Sequence, residues 1–331
     1  MDFVKIKGTD IESSRIGLGA WAIGGWLWGG SEERESIETI HAALDNGITL
    51  IDTAAIYGFG RSEEIVGKAV SEYGHRDKII VATKAGLDWS SGKVYRNSTK
   101  ERIFKEVDDS LKRLQTDYID IYQIHWPDYE TPFEEAAEAM KELYDSGKIR
   151  AIGVSNYTLE QKDIFRRIAP LHTSQPPYNI FERAIEEDVI PYCHEHDITM
   201  LLYGAICRGL LSGRMTVDTT FEGDDIRKVD PKFKKPRFEQ YLEAVQKLDD
   251  FAQANYNKRV IHLALRWVLD MAKSDIALWG ARRPSQLKPL DDIFGWSLDQ
   301  SAFEEIDKIL DETIKDPVGP EFMAPPEKGR I

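Results

Sequence analysis

The chain has 331 residues, of which 57 are acidic and 43 are basic, so its formal net charge is −14. This charge argues against a nucleic acid or an anionic membrane as a partner held by bulk electrostatics. The 42% hydrophobic content is typical of a soluble globular protein and argues against a disordered or fibrous chain, and two cysteines are too few for a disulfide framework.

The amino-terminal part of the chain lacks the pattern of a leader or of a spanning helix. Residues Met1 to Lys5 do not combine a basic region with a following apolar run. The uncharged stretch from Ile16 to Gly30 is 15 residues long and contains six glycines, which is typical of a loop. We therefore expect a cytoplasmic protein.

Eight short β-branched or apolar runs alternate with segments of helical periodicity. Their continuous apolarity is typical of parallel strands that are covered on both faces. The predicted strands are Ile16 to Leu18, Thr49 to Ile51, Ile79 to Thr83, Ile119 to Ile124, Ala151 to Val154, Thr173 to Gln175, Thr199 to Leu202 and Ile276 to Trp279.

The interval between the last two strands is much longer than the others. It contains a charged stretch from Ser212 to Pro236, followed by helical segments from Phe238 to Ala254 and from Val260 to Met271. Eight strands alternating with helices predict a (β/α)8 barrel, or TIM barrel, formed by residues 1–331 as a single domain. The long insertion and its extra helix lie between strands 7 and 8.

Three helix starts are predicted from capping patterns. Residues Thr131 to Glu134 read as a capping box with proline at the first helical position, and Ser98 to Glu101 read as another. Ser62 precedes Glu63 and Glu64 at a third start. We interpret these two glutamates as charges that complement the positive end of the helix dipole, not as acid–base groups.

Polar or ionisable residues follow almost every predicted strand. In a parallel barrel the carboxyl ends of the strands share one rim, so these side chains are expected to meet there. In chain order they include Asp52, Lys84, His125, Ser155, Asn156, Gln175, Tyr203 and Arg282.

The first three of these residues, with Tyr57, support a specific chemistry. Asp52 and Lys84 would be buried and are expected to pair, because a lone buried charge is costly. Lys84 would favour the phenolate of Tyr57 and so tune it as a general acid. A neutral His125 would donate to a carbonyl oxygen that gains negative charge. A structural salt bridge beside a core histidine fits the same spacing, and the residues alone leave both readings open.

Other catalytic templates fit less well. Tyr157 stands where a nucleophile elbow around Ser155 needs its second glycine. His194 and His196 are two residues apart and face different sides of a helix, so no metal site is expected. The segment from Gly17 to Ala22 lacks the third glycine of a dinucleotide fingerprint.

The tetrad Asp52, Tyr57, Lys84 and His125 resembles that of the aldo-keto reductases. Flanking motifs extend this resemblance over nearly the whole chain: Leu50 to Ala54, Tyr57 with Gly58, Leu111 to Leu114, Asp117 to Asp120 and Gly147 to Asn156. Two further segments resemble the bacterial branch that holds general-stress reductases and an NADP-dependent glycerol dehydrogenase: Trp21 to Gly25 and Asp316 to Pro320.

The resemblance implies NADP(H)-dependent interconversion of small aldehydes or ketones and alcohols, including glyceraldehyde and glycerol or related polyols. Tyr57 would be the general acid and base, Lys84 and Asp52 would set its pKa, and His125 would orient the carbonyl. Neither a metal nor an obligate protein partner is implied. The alternative is an NADPH-binding, redox-sensing regulatory subunit with little turnover.

The resemblance also implies cofactor-binding residues by position. Ser155, Asn156 and Gln175 would hold the carboxamide, and Tyr203 would stack on the nicotinamide. Contacts along the pyrophosphate are expected from Tyr203, Gly204, Ala205, Ile206, Cys207, Arg208, Arg214 and Arg227. The adenosine 2′-phosphate would be held by Gly280, Ala281, Arg282 and Gln286, and a planar guanidinium there favours NADP over NAD. Ala20, Trp21 and Asp52 complete the set.

Two features bear on the walls of the site. Many family members carry Glu-Asn where this chain has Pro289 and Leu290, which puts the adenine contacts in question. The tryptophan-rich loop of Trp21, Trp26 and Trp28 fits either a pocket wall or rim packing. Candidate pocket walls are Trp21, Ile56, Tyr57, Trp89, Trp126 and Phe322.

Overall fold

The computed structural model describes residues 1–330 and contains twelve strands. The strands are β1 Phe3–Lys5, β2 Glu12–Ser14, β3 Ile16–Gly19, β4 Leu50–Asp52, β5 Ile80–Ala85, β6 Leu87–Asp88, β7 Tyr95–Arg96, β8 Ile121–Ile124, β9 Ile152–Ser155, β10 Thr173–Gln175, β11 Thr199–Leu202 and β12 Ile276–Gly280. The α-helices are α1 Glu33–Asp45, α2 Arg61–Tyr73, α3 Lys100–Leu114, α4 Phe133–Asp145, α5 Leu159–Arg166, α6 Val189–Glu195, α7 Arg237–Tyr256, α8 Val260–Met271 and α9 Gln300–Thr313.

Eight of the strands form a closed barrel. Their spatial order is β10-β11-β12-β3-β4-β5-β8-β9, and every neighbouring pair is parallel. Each predicted run forms one of these strands, with boundaries that differ by at most two residues. The prediction of a TIM barrel is confirmed, and helices α7 and α8 occupy the predicted insertion before β12.

Two apolar cores stabilise the barrel. The larger lies between the strands and the surrounding helices, and the smaller fills the barrel interior with Leu50, Ile121 and Leu278 among its members. Ile6 and Ile11, from the β1–β2 hairpin, belong to the interior core. The hairpin therefore covers the amino-terminal ends of the strands, and the carboxyl ends are left for a site.

Helix starts differ from the predicted caps. Helix α2 begins after Gly60, and the Ser62 hydroxyl in its first turn donates to a main-chain carbonyl of the loop after β3. Helix α3 is capped by Thr99 instead of Ser98, and helix α4 begins after Pro132 without a side-chain cap. The Ser62 hydroxyl bonds to the Ala20 main-chain oxygen and the Thr131 hydroxyl bonds to Asp128 Oδ2, whereas the Ser98 hydroxyl has no partner among the described residues. A four-residue pattern encodes none of these outcomes.

Glu63 and Glu64 both lie in the first turn of α2, as predicted, but their surroundings differ. Glu64 is exposed, but Glu63 is completely buried and accepts hydrogen bonds from Thr83 Oγ1 and Arg113 Nε, each at 2.6 Å. Its position on the inner face of α2 explains the difference, because that face packs against β5 and α3.

Candidate active site

The four tetrad residues meet at the carboxyl end of the barrel. Lys84 Nζ donates to Asp52 Oδ2 at 2.8 Å and to the main-chain oxygen of Thr53 at 2.8 Å, and it lies 3.4 Å from Tyr57 OH. Asp52 and Lys84 are 4% and 1% exposed, so the predicted buried pair is present. The centroids of the Tyr57 and His125 rings are 5.7 Å apart in an edge-on arrangement.

Asp52 is satisfied at both oxygens. Gln175 Nε2 donates to Asp52 Oδ1 at 2.9 Å, on the side opposite to the lysine. A carboxylate fixed by two donors holds the Lys84 ammonium in one place, and the ammonium in turn faces the phenol.

Two glycines allow the loop after β3 to press against the backbone of Tyr57. A Cβ at Gly24 would lie 2.7 Å from the Tyr57 carbonyl carbon, and one at Gly58 would lie 2.2 Å from the Gly24 oxygen. Gly58 also has a φ of +66°. The same loop stacks Trp21 on Tyr57, with ring centroids 5.9 Å apart. Close backbone packing thus fixes the direction of the phenol.

The protonation states follow from burial at the base of the cleft. Burial, and then the nearby Asp52 carboxylate, raise the pKa of Tyr57 well above its ordinary value. Burial lowers the pKa of Lys84 despite the attraction of Asp52. Burial and the Lys84 charge hold the pKa of His125 well below 6.5. The expected lowering of the Tyr57 pKa by Lys84 is therefore outweighed, and near neutral pH the phenol is protonated and the imidazole neutral.

A cleft of about 280 Å³ opens above the tetrad and collects most of the predicted site residues. Lys84 lies beneath Asp52 and does not line the cleft. The predicted residues that line the cleft are Trp21, Asp52, Ile56, Tyr57, Trp126, His125, Ser155, Asn156, Gln175, Tyr203, Gly204, Ala205, Ile206, Arg208, Arg227, Gly280, Ala281, Arg282 and Gln286.

Three residues predicted to bind the cofactor lie outside the cleft lining. Ala20 and Cys207 are completely buried, and Arg214 is exposed. Cys207 points into the core, where burial raises the pKa of its thiol to about 12.

A hydrogen-bonded chain runs along one wall of the cleft. The Tyr203 hydroxyl donates to Asn156 Oδ1 at 3.0 Å, and Asn156 Nδ2 donates to the main-chain oxygen of His125 at 3.1 Å. The Ser155 hydroxyl donates to the main-chain oxygen of Gln175 at 2.7 Å. These bonds hold the predicted carboxamide-binding residues in fixed orientations around one part of the cleft.

Arg282 marks a cationic end of the cleft. Its guanidinium donates to the main-chain oxygens of Trp28 at 2.8 Å and Gly30 at 3.0 Å. Burial, and then repulsion by the neighbouring Arg283 and Arg227, lower the pKa of Arg282, while Asp225 and Glu35 act in the opposite direction. An anion at this end would relieve that repulsion.

Other predicted cofactor residues have internal partners. The Arg208 guanidinium pairs with the buried carboxylates of Glu182 and Asp230, and Glu182 also pairs with Lys232 at 2.8 Å. Gln286 Oε1 accepts from the main-chain N–H of Arg282 at 2.9 Å. The Arg208 guanidinium therefore helps to hold the insertion in place, through its pair with Asp230.

Pro289 and Leu290, at which the chain departs from the family pattern, do not line the cleft. Leu290 is buried in the main core and Pro289 is half-buried, both within the 3-10 helix Pro284–Asp292. Leu290 therefore serves packing.

The apolar walls were predicted only in part. Trp26 and Trp28 line the cleft, so the tryptophan-rich loop is a pocket wall, whereas Trp89 and Phe322 do not line it. Sequence reasoning missed several lining residues, of which four belong to the β6–β7 hairpin and to the carboxyl-terminal tail: Leu87, Val94, Met323 and Pro325.

Arg96 is the anchor that brings this tail to the cleft. It donates from Nε to the main-chain oxygen of Pro325 at 2.9 Å and pairs through NH1 with Glu327 at 2.7 Å. No local pattern links positions more than 200 residues apart, so this wall has no signal in the sequence.

Residues 1–330 contain no group of three or more histidine, cysteine or acidic side chains placed to hold a metal ion. His194 instead pairs with Asp275 at 2.9 Å. None of the helices in this range is both long enough and apolar enough to cross a membrane.

Comparison with known proteins places this site in a family. The family model described as "Aldo/keto reductase family" matches residues 15–311. Aldo-keto reductase YhdN of Bacillus subtilis is 62% identical over 331 residues, covering 100% of both chains. The NADH-specific methylglyoxal reductase of Escherichia coli is 36% identical over 305 residues, covering 87% of this chain and 92% of the relative.

A solved structure agrees in fold as well as in sequence. The glycerol dehydrogenase AKR11B4 from Gluconobacter oxydans superposes with a TM-score of 0.88 at 52% identity, covering 98% of this chain and 99% of that one. The resemblance drawn from the sequence motifs is confirmed. The chain belongs to the aldo/keto reductase family of oxidoreductases.

Proposed function

We propose that this protein uses NADP(H) to interconvert small aldehydes or ketones and the corresponding alcohols, with Tyr57 as general acid and base. The observation that carries the proposal is the buried Lys84–Asp52 pair, with Lys84 Nζ 3.4 Å from a phenol at the base of an open cleft. Such a phenol has the proton that a reduced carbonyl oxygen requires.

The residues of the cleft fit the cofactor. Three clustered guanidiniums at the Arg282 end suit a phosphate dianion, and the polar chain from Tyr203 to Asn156 suits a carboxamide. When bound, NADPH would supply the hydride. Members of the family use NADP(H), although the methylglyoxal reductase is named as NADH-specific. The Arg282 cluster supports NADPH for this chain.

The side chains divide the remaining work. Tyr57 donates its phenolic proton to the carbonyl oxygen, and the Lys84 ammonium stabilises the negative charge left on the phenol. The neutral His125 donates a second hydrogen bond that orients the carbonyl. Tryptophan walls exclude water and strengthen these interactions.

The substrate is proposed to be a small carbonyl compound or alcohol, with glyceraldehyde and glycerol as representatives. The 52% identity to a glycerol dehydrogenase supports this choice. The match of a single family model over residues 15–311 supports one catalytic domain over 1–331. No obligate protein partner is part of the proposal.

Steady-state reduction of glyceraldehyde, followed with NADPH and with NADH in parallel, tests the proposed function. We expect turnover with both the carbonyl and NADPH present, and weaker activity with NADH. Tight NADPH binding with negligible turnover over a panel of small carbonyls would instead favour a redox-sensing regulatory subunit.

Replacing Arg282 with alanine is expected to weaken NADPH binding selectively. Loss of one charge-assisted contact costs roughly 1–3 kcal/mol, or about 5- to 150-fold in Kd. NADH, which lacks the 2′-phosphate, should lose much less affinity. Titrations of both cofactors with Arg282→Ala check this.

Arg34→Ala is the matched control, because Arg34 is an exposed arginine outside the Arg282 cluster and pairs with Glu38 at 2.9 Å. It should change NADPH affinity far less than Arg282→Ala does. Equal weakening of NADH and NADPH by Arg282→Ala would contradict a 2′-phosphate role.

The two directions of the reaction should depend differently on pH. Because the pKa of Tyr57 is raised and that of His125 is lowered, both groups keep the protonation state that reduction needs through neutral pH. The kcat for reduction should stay within about twofold between roughly pH 6 and 9. Alcohol oxidation needs the unprotonated phenol, so its kcat should rise with pH over this range. A reduction profile that falls below pH 7 with a single midpoint near 6.5 would contradict the assignment of a neutral His125.

A further inference from the structure

Strand β5 is held on both sides of Lys84 by two buried carboxylates that the proposed chemistry does not use. The hydroxyl of Thr83, directly before the lysine, donates to Glu63 Oε1 at 2.6 Å. The main-chain N–H of Gly86, two residues after it, donates to Glu106 Oε2 at 2.7 Å. We call Glu63 and Glu106, with these two bonds, the β5 clamp.

Each carboxylate of the β5 clamp is fixed in turn by an arginine. Arg113 Nε lies 2.6 Å from Glu63 Oε2, and Arg102 NH2 lies 2.9 Å from Glu106 Oε1. Glu63 is 0% and Glu106 2% exposed. Buried ion pairs add little net stability over apolar packing, because desolvation offsets their attraction. Two such pairs against one strand therefore indicate a need for defined geometry.

The β5 clamp also joins the elements that carry the tetrad. Glu63 lies in the first turn of α2, the helix that follows the Tyr57 loop, and its partner Thr83 lies on the strand of Lys84. The Thr83–Glu63 bond thus connects α2, which follows the Tyr57 loop, to β5, which carries Lys84. The charge of Glu63 further opposes the lowering of the Lys84 pKa by burial.

We propose that Glu63 and Glu106 are positioning residues, which act through Lys84 by fixing its Nζ relative to Tyr57 OH. Neither carboxylate lines the cleft, so neither touches substrate or cofactor. The inference rests on the proposed function, because it concerns the chemical step of carbonyl reduction. Small displacements of a catalytic group slow that step without changing how tightly the reactants bind.

The sharpest test removes one hydroxyl and keeps the side-chain volume. In Thr83→Val, the single-turnover rate of NADPH oxidation by excess glyceraldehyde should fall about tenfold. The KM for the carbonyl and the Kd for NADPH should stay within about twofold of the parent values. Thr83→Ser restores the donor and should restore the rate.

Thr39→Val is the matched control. Thr39 is likewise completely buried, but its hydroxyl donates to the main-chain oxygen of Glu35 within α1, away from the tetrad. Its loss should lower thermal stability by an amount similar to that in Thr83→Val and leave the single-turnover rate unchanged.

A second pair of variants tests the other half of the β5 clamp. Glu106→Gln keeps an acceptor for the Gly86 N–H and should retain a rate close to the parent. Glu106→Met removes the acceptor and should show the same selective loss of rate as Thr83→Val. A Glu106→Met rate equal to that of Glu106→Gln would overturn the inference for Glu106, and the Thr83 variants decide it for Glu63.

Three results would overturn the inference. The first is a single-turnover rate of Thr83→Val equal to that of Thr39→Val. The second is a loss of rate in Thr83→Val that Thr83→Ser does not restore. The third is a fall in the Thr83→Val rate that is matched by an equal rise in its Kd for NADPH. If the parent protein binds NADPH but reduces no carbonyl, that result contradicts the proposed function itself and is thereby distinguished from a failure of the β5 clamp.

Discussion

Tyr57→Phe should lower kcat for carbonyl reduction by roughly 10²- to 10⁴-fold, the range of a lost general acid. The variant lacks only the hydroxyl that faces Lys84 Nζ at 3.4 Å, and the ring remains to stack on Trp21. The Kd for NADPH should therefore stay within about twofold of the parent value. Stopped-flow kinetics and a cofactor titration on the same preparation measure both quantities.

Tyr192→Phe is the control for removal of a phenolic hydroxyl elsewhere. Its hydroxyl bonds to Asp163 on the outer helices, distant from the cleft. The control should retain parent kinetics. Turnover of Tyr57→Phe close to that of the parent, with cofactor bound, would show that another group donates the proton.

Lys84→Met should abolish turnover and also destabilise the fold by about 3–5 kcal/mol. The reason is that Asp52, 4% exposed, would lose its cationic partner and keep only the Gln175 amide as a donor. Chemical denaturation at neutral pH measures the free energy of unfolding. Adding Asp52→Asn to Lys84→Met should recover part of the stability and none of the activity.

Lys162→Met is the matched control, because Lys162 is also 1% exposed but donates only to the main-chain oxygen of Tyr157. No buried carboxylate is left unpaired when it is removed. This variant should keep its activity and lose less stability than Lys84→Met. Equal unfolding free energies for the parent and Lys84→Met would contradict the idea that the Asp52–Lys84 pair is buried and interdependent.

The barrel and the tetrad were predictable because their signals are local. Runs such as Thr199 to Leu202 are apolar on both faces, so each reads as a parallel strand wherever it stands. The polar residues that end such strands must share one rim once the barrel closes. The positions of Asp52, Lys84 and His125 therefore follow from strand order alone.

The features that escaped prediction depend on contacts between distant segments. Glu63 reads as a charge that complements a helix dipole, and its local sequence does not indicate the bonds that it accepts from Arg113 and Thr83. Met323 lines the cleft because Arg96, which lies far from the carboxyl-terminal tail in sequence, anchors that tail. Arg208 reads as a cofactor contact, and its buried carboxylate partners become evident only when the insertion folds.

The pKa of Tyr57 shows why residue identity alone was insufficient at the site itself. Lys84 beside a phenol favours the phenolate, and that argument predicts a lowered pKa. In the folded protein burial and Asp52 act in the opposite direction and prevail. The resulting protonated phenol suits reduction, because it enters the reaction with its proton in place.

The most direct test of the central claim is transfer of deuterium from stereospecifically labelled [4-²H]NADPH to glyceraldehyde, followed by NMR of the product. With the C4 epimer of the labelled cofactor that transfers its deuterium, we predict one deuterium at the former carbonyl carbon of glycerol for each NADPH oxidised. Binding of the labelled cofactor without deuterium in any alcohol product, with either C4 epimer and over a panel of small carbonyls, would contradict the account and identify the protein as a cofactor binder that does not catalyse this reaction.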